Sequence, residues 1–295
     1  MKRFVVKSVC FLFPLLLLFA GIEWHMRSIP NSYRQKDNWM QHHAEEVEVL
    51  VLGNSHGLFG IRPDMFSKRA YNLCNVSQTF EYDEYLLRRF LPKCTRLRDV
   101  ILIVDNSNLF DGPLELSEPF RCTYYRLYMD YPKHSLLSKY GFELASISAL
   151  KKKLTARDAA LDSLGWNTSY SKEQREASSV TEHSAMLAVQ HHTCKDWTYA
   201  TDNFRHLQKI ASMCQANGIR LILLQAPVIA SYYQRISQRQ KDFVRYCCTH
   251  TPGAVSKDYS QCRDFVSDDF FDTDHLDDEG AAKWSQMIDN DFLKF

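Results

Sequence analysis

The chain has 295 residues, of which 45% are hydrophobic, and this composition is typical of a globular protein and excludes an intrinsically disordered one. With 36 basic and 35 acidic residues the net charge is close to zero, so no strong electrostatic field would draw nucleic acid or a highly charged substrate to the surface. We therefore expect one main domain and no nucleic-acid partner.

The N-terminus carries an export or anchoring signal. Three basic residues, Lys2, Arg3 and Lys7, precede an apolar stretch at residues 9–22. That stretch is short beside the roughly 17 to 25 residues of a spanning helix, but residues 4–6 extend it and no clear cleavage site follows. We expect residues 1–29 to form a cytoplasmic start and one uncleaved membrane anchor. The basic residues predict that the rest of the chain lies outside the cytoplasm, on the periplasmic or extracellular face.

A polar tether at residues 30–45 is expected to lead into a folded domain at 46–295. Four mostly continuous apolar runs predict buried parallel strands at 47–52, 70–74, 100–104 and 219–225. Helical spacing of apolar residues predicts helices at 82–91, 202–216 and 279–288. This alternation predicts a doubly wound, three-layer α/β sandwich around a central parallel sheet, with ligands bound beyond the carboxyl ends of the strands.

Residues 114–200 interrupt the alternation. They are rich in Tyr, Lys and Ser, contain short amphipathic segments such as 144–154, and have no strong strand signal. We interpret them as a helical insertion over the strand ends, where it could shape a substrate groove or dock a partner. Its tyrosines could stack on sugar rings or equally pack inside the insertion; they are Tyr124, Tyr125, Tyr128 and Tyr131.

Eight of the nine cysteines follow the anchor. An even number permits disulfides but does not require them, because a domain of this size does not depend on cross-links and the pairing cannot be deduced from sequence. For Cys74 and Cys214, which lie inside predicted elements, buried free thiols are an equal alternative.

Two short motifs near the two ends of the predicted domain carry reactive side chains. The first strand stops at Gly53 and is followed by Ser55, at a strand-to-helix turn. Near the C-terminus Asp272 precedes His275 by three residues, so one loop can present a base and the group that orients it. A serine in such a turn is by itself more often a helix cap, but the distant Asp and His favour a nucleophile.

These motifs resemble those of the SGNH or GDSL hydrolases, within them the membrane-anchored bacterial branch that includes alginate O-acetyltransferase-like and DltD-like proteins. The likeness extends from about residue 47 to the C-terminus and covers the insertion least. The family's Gly-Asp-Ser block stands here as residues 53–55, Gly-Asn-Ser, and its Asp-x-x-His block falls on Asp272 and His275. The resemblance implies an SGNH-hydrolase, flavodoxin-like fold with Ser55 as nucleophile, His275 as general base and Asp272 as its orienting carboxylate.

The resemblance also implies an oxyanion hole. Its donors would be the backbone amide of Ser55, the amide of Ser77, which stands where the family has a glycine, and the side chain of Asn108 in the third block. Asn106 is the reserve donor or a substrate contact. His56 could bind substrate or equally be a histidine whose hydrogen bonds are satisfied locally.

No cofactor or metal is expected. Acidic residues crowd together at 268–279, but they lack the glycine of an EF-hand loop, and the last three suit a helix N-terminus. His191, His192 and Cys194 have no second pair at zinc-site spacing.

The leading interpretation is an exported serine esterase or O-acyltransferase. It would take an acyl group, in the first place acetyl, from a cell-surface glycan or small acyl ester and pass it through an acyl-enzyme to water or a sugar hydroxyl. The alternative is a catalytically weak or inactive partner of a multi-span membrane acyltransferase or an envelope assembly complex. The departures from the family pattern at Ser77 and Asn108 motivate this alternative.

Overall fold

The computed structural model describes residues 1–132, 141–145, 161–176 and 180–294. Its strands are β1 (Val49–Leu52), β2 (Ala70–Asn72), β3 (Asp99–Ile103), β4 (Arg220–Gln225) and β5 (Ala254–Asp258). All are parallel and, across the described residues, form one sheet in the order β2-β1-β3-β4-β5. The four predicted parallel strands are thus confirmed, and β5 is added at the edge.

Eleven α-helices lie within the described residues. They are α1 (Lys2–Ser28), α2 (Ser32–His43), α3 (Ser55–Gly60), α4 (Phe80–Phe90), α5 (Leu114–Ser117), α6 (Pro119–Tyr128), α7 (Glu182–His191), α8 (Trp197–Ala216), α9 (Ala230–Arg235), α10 (Gln238–Thr249) and α11 (Asp278–Ile288). Helices α4, α8 and α11 correspond to the three predicted ones. Of the predicted amphipathic segment 144–154, residues 146–154 lie outside the described part of the chain.

Both faces of the sheet are covered. Val49 and Val51 of β1 pack in a core cluster that also contains Trp284 of α11 and residues of α3. The alternate residues Leu50 and Leu52 point to the opposite face and are equally buried. All four side chains of β1 are therefore apolar, as expected for a strand that is covered by helices on both faces. This confirms the doubly wound α/β sandwich.

The order of the strands places a crevice at the carboxyl edge of the sheet. From β1 the chain crosses to β2 on one side and then to β3 on the other, so the direction of winding reverses between β1 and β3. In parallel sheets with this flavodoxin-like order, ligands bind at that reversal. Ser55 follows β1 and residues 105–108 follow β3, so both lie at this edge.

The chain divides into two compact units. One comprises Met1–Asp37 and Glu118–Asp158, and the other comprises Asn38–Ser117 and Ala159–Phe295. The second unit contains the whole sheet. The boundaries predicted above, with a tether at 30–45 and an insertion at 114–200, stay a prediction.

In the first unit, α1 is 27 residues long and apolar enough to cross a membrane, as judged by length and composition. Near its end Glu23 accepts hydrogen bonds from the backbone N–H groups of Glu143 (3.0 Å) and Leu144 (3.2 Å). Tyr124 and Tyr125 pack against Tyr33, with ring centroids 5.4 and 4.9 Å away. These two tyrosines therefore pack within the unit.

All nine cysteines are free thiols in this structure. Cys74 and Cys214 are buried, which agrees with the alternative of buried free thiols for these two positions.

Candidate active site

The turn after β1 presents Ser55. Gly53 has a φ of +129°, and a Cβ atom there would lie 2.7 Å from the Cβ of Ile103, so a side chain is excluded both by conformation and by the approach of β3. Asn54 caps α3, because its side-chain oxygen accepts the N–H of His56 at 3.0 Å. Ser55 is the first residue of α3, and its N–H consequently has no partner within the helix.

The structure brings the three predicted catalytic residues together. His275 Nε2 lies 2.8 Å from Ser55 Oγ, although 220 residues separate them in the chain. His275 Nδ1 lies 3.0 Å from each carboxylate oxygen of Asp272. This is the arrangement of a nucleophile, a general base and a carboxylate that fixes the tautomer of the base.

Backbone hydrogen bonds within the loop before α11 hold the side chain of Asp272 in place beside His275. Asp272 Oδ1 accepts the backbone N–H groups of Asp274 (3.1 Å) and His275 (2.8 Å), as in an Asx turn. Asp277 then caps α11 by accepting the N–H of Gly280 at 2.8 Å. The three-residue spacing lets the same carboxylate bond to both the backbone N–H and the ring Nδ1 of His275.

Burial lowers the pKa of His275, but the nearby carboxylates of Asp272 and Asp274 outweigh this effect, so the pKa lies above its ordinary value. In the neutral ring Nδ1 carries the proton and donates its hydrogen bond to the carboxylate of Asp272. The lone pair of Nε2 then faces the hydroxyl of Ser55 and can accept its proton.

A second histidine, His56, lies buried beside these residues. Its Nδ1 is 2.5 Å from Asp105 Oδ2, its Nε2 is 3.4 Å from Asp274 Oδ2, and its ring centroid is 4.8 Å from that of His275. Burial lowers the pKa of His56, but Asp105 and Asp274 raise it to about 10. Burial likewise raises the pKa of Asp105, but His56 and hydrogen bonds from Ser107 lower it to about 2.

A third histidine, His192, follows α7 and approaches the same carboxylate. Its Nδ1 lies 2.8 Å from the hydroxyl of Tyr232 and 3.8 Å from Asp274 Oδ2. Burial lowers the pKa of His192 to about 4, so this ring is neutral at physiological pH. Asp274 is therefore surrounded by three histidines that differ in charge.

Ser77, one predicted oxyanion donor, has a φ of +55°. This left-handed conformation favours glycine, which is the residue that the resemblance places there. The loop that carries Ser77 is joined to the nucleophile turn, because the N–H of Asn75 donates to the carbonyl of Gly53 at 3.3 Å. The role of the Ser77 amide stays a prediction.

The two predicted asparagines have other partners. Asn108 Nδ2 donates to the carbonyl of Ile103 (2.8 Å), and its Oδ1 accepts the N–H of Asp105 (3.1 Å), so its side chain closes the end of β3. Asn106 Nδ2 donates to the carbonyl of His192 (3.3 Å), and its Oδ1 accepts Gln240 Nε2 (3.1 Å). These bonds do not supply the oxyanion role expected of Asn108, which stays a prediction.

The expected substrate contacts, His56 and Asn106, line a pocket at the carboxyl ends of β3, β4 and β5 together with Tyr232 and Ser260. His56 is only 4% exposed and both of its ring nitrogens face carboxylates. The alternative of a locally satisfied histidine fits this geometry, whereas substrate binding by either residue stays a prediction.

An aromatic wall stands on one side of His275. Tyr170 is stacked between Phe59 and Phe271, with ring centroids 3.7 and 4.0 Å away. Its ring is perpendicular to that of His275, with the centroids 5.6 Å apart. Tyr170 belongs to the described end of the predicted insertion, where Trp166 Nε1 also donates to the carbonyl of Phe59 at 2.7 Å. The rings of Phe59 and Tyr170 cover part of the imidazole of His275, and the sequence does not predict them.

His56, Asp274 and His275 offer possible metal-ligand atoms within 4.8 Å of one another. Each ring nitrogen of the two histidines already has a hydrogen-bond partner, which a metal would have to displace. Elsewhere in the acidic segment Asp269 is paired with Lys283 (2.7 Å) and Asp277 caps α11. Hydrogen bonds and ion pairs thus account for these groups.

Sequence reasoning also missed Asp105 and Asp274. A signal for Asp105 existed, because an acidic residue at the carboxyl end of a buried parallel strand lies at the ligand-binding edge. Asp274 stands inside the Asp-x-x-His block, where its role depends on contacts with residues remote in the chain.

No protein-family model and no curated protein matches this chain. A solved structure from Streptococcus pneumonia, provisionally named as a platelet activating factor, is similar over 97% of this chain and 98% of its own. The identity is 10% and the TM-score is 0.44. At these values the similarity is evidence for neither the fold nor the function of this chain. The fold is shown by the parallel sheet itself.

Proposed function

We propose that the protein is an SGNH-type serine esterase or O-acyltransferase that acts on acyl esters, in the first place acetyl esters, of a cell-surface glycan. The observation that carries the proposal is the 2.8 Å contact between His275 Nε2 and Ser55 Oγ, with Asp272 behind the imidazole. The glycan comes from the resemblance, and the placement outside the cytoplasm comes from the basic residues that precede the apolar segment of α1.

In this mechanism His275 removes the proton of Ser55 Oγ as the oxygen attacks the ester carbonyl carbon. Asp272 holds the imidazole tautomer and stabilises the imidazolium that forms. The backbone amides of Ser55 and Ser77 donate to the oxyanion of the tetrahedral intermediate. Collapse of the intermediate breaks the ester bond, and the leaving alcohol takes the proton from His275. Water or a sugar hydroxyl, deprotonated by His275, then attacks the acyl carbonyl carbon to give a second tetrahedral intermediate. Its collapse breaks the bond to Ser55 Oγ, which takes the proton back from His275, and releases the free acid or the acylated sugar.

Replacement of the nucleophile tests the proposal. Ser55→Ala should lower turnover of p-nitrophenyl acetate by about 10³-fold or more, because binding and oxyanion donors alone provide only residual catalysis. The matched control is Ser212→Ala on the exposed face of α8, where the hydroxyl only donates to the carbonyl of Gln208, and its turnover should equal that of the unchanged protein. Equal turnover of the Ser55→Ala variant would remove the proposal.

One observation favours a second candidate, a weak or inactive partner of a multi-span membrane acyltransferase. The side chains of Asn106 and Asn108 are held by backbone groups and Gln240, so the proposed hole depends on backbone donors. Co-purification with such an acyltransferase after gentle solubilisation, together with the absence of Ser55 reactivity, would support this role. Migration of the protein alone would count against it.

A further inference from the structure

Two carboxylates act on the proposed base. Asp272 bonds to His275 Nδ1 at 3.0 Å, and Asp274 Oδ1 lies 3.8 Å from the same nitrogen. Each negative charge favours the imidazolium form of His275. A general base must be neutral to accept the proton of its nucleophile, so a second uncompensated carboxylate would hinder catalysis near neutral pH.

The hydrogen bonds of His56 define its charge. Asp105 faces Nδ1 and Asp274 faces Nε2, and ionised carboxylates can only accept hydrogen bonds. Both ring nitrogens must therefore carry protons. Asp105 is kept ionised in turn, because it accepts the N–H (2.9 Å) and the hydroxyl (2.6 Å) of Ser107.

We propose that His56 is a positioning residue for His275: its imidazolium, held by Asp105, neutralises Asp274 and leaves Asp272 as the effective carboxylate on the base. This inference rests on the proposed function and deepens it. It connects residues of α3, the loop after β3 and the loop before α11 into one buried network.

The other groups around the network do not supply this charge. Asp274 is also approached by His192, which is neutral and bonded to Tyr232 of α9, and by the hydroxyl of Thr273 at 3.3 Å. His275 is otherwise met by Ser55 and by the aromatic rings of Phe59 and Tyr170. Among the described groups in contact with Asp274, His56 is thus the cation when His275 is neutral.

The pH dependence of Ser55 labelling by a fluorophosphonate tests the inference on the full chain in detergent. His56→Gln leaves Asp274 uncompensated, so the acid limb of the profile should move to higher pH by about one unit, a roughly tenfold loss of rate below the limb. Asp274→Asn removes the carboxylate and leaves the cation, so the limb should move to lower pH. Asp105→Asn weakens the hold on the proton of His56 and should act in the same direction as His56→Gln.

A loss of packing would not be expected to shift the acid limb in opposite directions in the His56→Gln and Asp274→Asn variants, because the two residues are in contact. Titration of the His275 ring by NMR of ¹³C-histidine-labelled protein gives the same comparison without catalysis, with His275→Ala used to assign the resonance. Equal pKa values for His275 in the unchanged protein and in both the His56→Gln and Asp105→Asn variants would overturn the inference while leaving the proposed function intact. Failure of the unchanged, folded protein to label would instead remove the proposed function.

Discussion

The carboxylate of Asp272 accepts hydrogen bonds both from backbone N–H groups and from the proposed base, His275. Its Oδ1 accepts two backbone N–H groups of its own loop, and both oxygens face His275 Nδ1. An amide in its place can keep the turn, but it presents an NH₂ group to an imidazole nitrogen that must itself donate. We therefore expect the carboxylate to be required for the Nδ1–H tautomer of His275, whereas an amide could maintain the conformation of the loop.

Asp272→Asn should lower the rate of ester hydrolysis by about 10³- to 10⁴-fold, because the imidazole then favours the wrong tautomer. Steady-state kinetics on p-nitrophenyl acetate measure this. Asp268→Asn is the matched control, since Asp268 lies in the same acidic segment but pairs with Lys172 and Arg175 at the surface. A loss below tenfold for Asp272→Asn would contradict the assigned role.

Asp83 is a buried carboxyl that holds the nucleophile turn. Its Oδ1 accepts the N–H of Gly53 (2.9 Å) and Gln78 Nε2 (2.6 Å), while burial raises its pKa to about 7. Because this pKa lies above the unfolded value of about 3.9, Asp83 ionises more readily in the unfolded chain than in the folded protein. The free energy of unfolding therefore decreases as the pH rises from about 4 to about 7.

Asp83→Asn removes that ionisation and keeps an oxygen acceptor. The free energy of unfolding of the variant relative to the unchanged protein should therefore increase between pH 4 and pH 7. Urea denaturation across this range measures the difference. A difference that is constant with pH would show that Asp83 does not titrate there.

At the scale of single residues the sequence predicts the local part of the site. Asp272 and His275 belong to one turn, and Ser55 follows a recognisable strand, so their positions depend on short-range geometry. The network of His56, Asp105 and Asp274 depends on helix α3 and two loops meeting at the sheet edge, which residue spacing does not specify. The side-chain bonds of Asn106 to His192 and Gln240 likewise depend on residues remote in the chain.

At the scale of elements, the junction between β1 and α3 depends on Gly53. Gly53→Ala should destabilise the protein by about 2 kcal/mol or more, because the left-handed φ is strained and the new Cβ meets Ile103. Gly218→Ala is the matched control, since Gly218 has a φ of +66° but no atom within 4 Å of an added Cβ. It should cost about 1 kcal/mol, from conformation alone. Thermal and urea denaturation measure both losses. Equal losses of stability in the Gly53→Ala and Gly218→Ala variants would contradict the steric conflict between residue 53 and Ile103.

The strands that were predicted and the one that was missed differ in burial. β1, β2 and β3 are buried along their whole length and β4 is buried at its four central residues, so the segments that contain them are mostly apolar in sequence. β5 lies at the sheet edge with most of its side chains exposed, and its residues, Ala-Val-Ser-Lys-Asp, form no such run. Its pairing with β4 is a property of the folded sheet and not of its composition.

For the whole molecule, α1 predicts how the chain behaves in a cell extract. An 18-residue stretch of α1 is strongly apolar and is not buried within the protein. The full chain should stay in the membrane pellet after alkaline carbonate and high-salt washes and should be released by detergent, because a spanning helix is held by burial of apolar surface in lipid. Release by carbonate would contradict a spanning anchor.

The central claim is that Ser55 is a nucleophile activated by His275. Intact-mass analysis of the full, detergent-solubilised chain after treatment with a fluorophosphonate tests it most directly, with Ser55→Ala and His275→Ala variants that retain their circular dichroism spectra. We expect one adduct on the unchanged protein, none on Ser55→Ala and a strongly reduced yield on His275→Ala. Equal labelling of the Ser55→Ala variant, or no adduct on the folded unchanged protein, would contradict the claim.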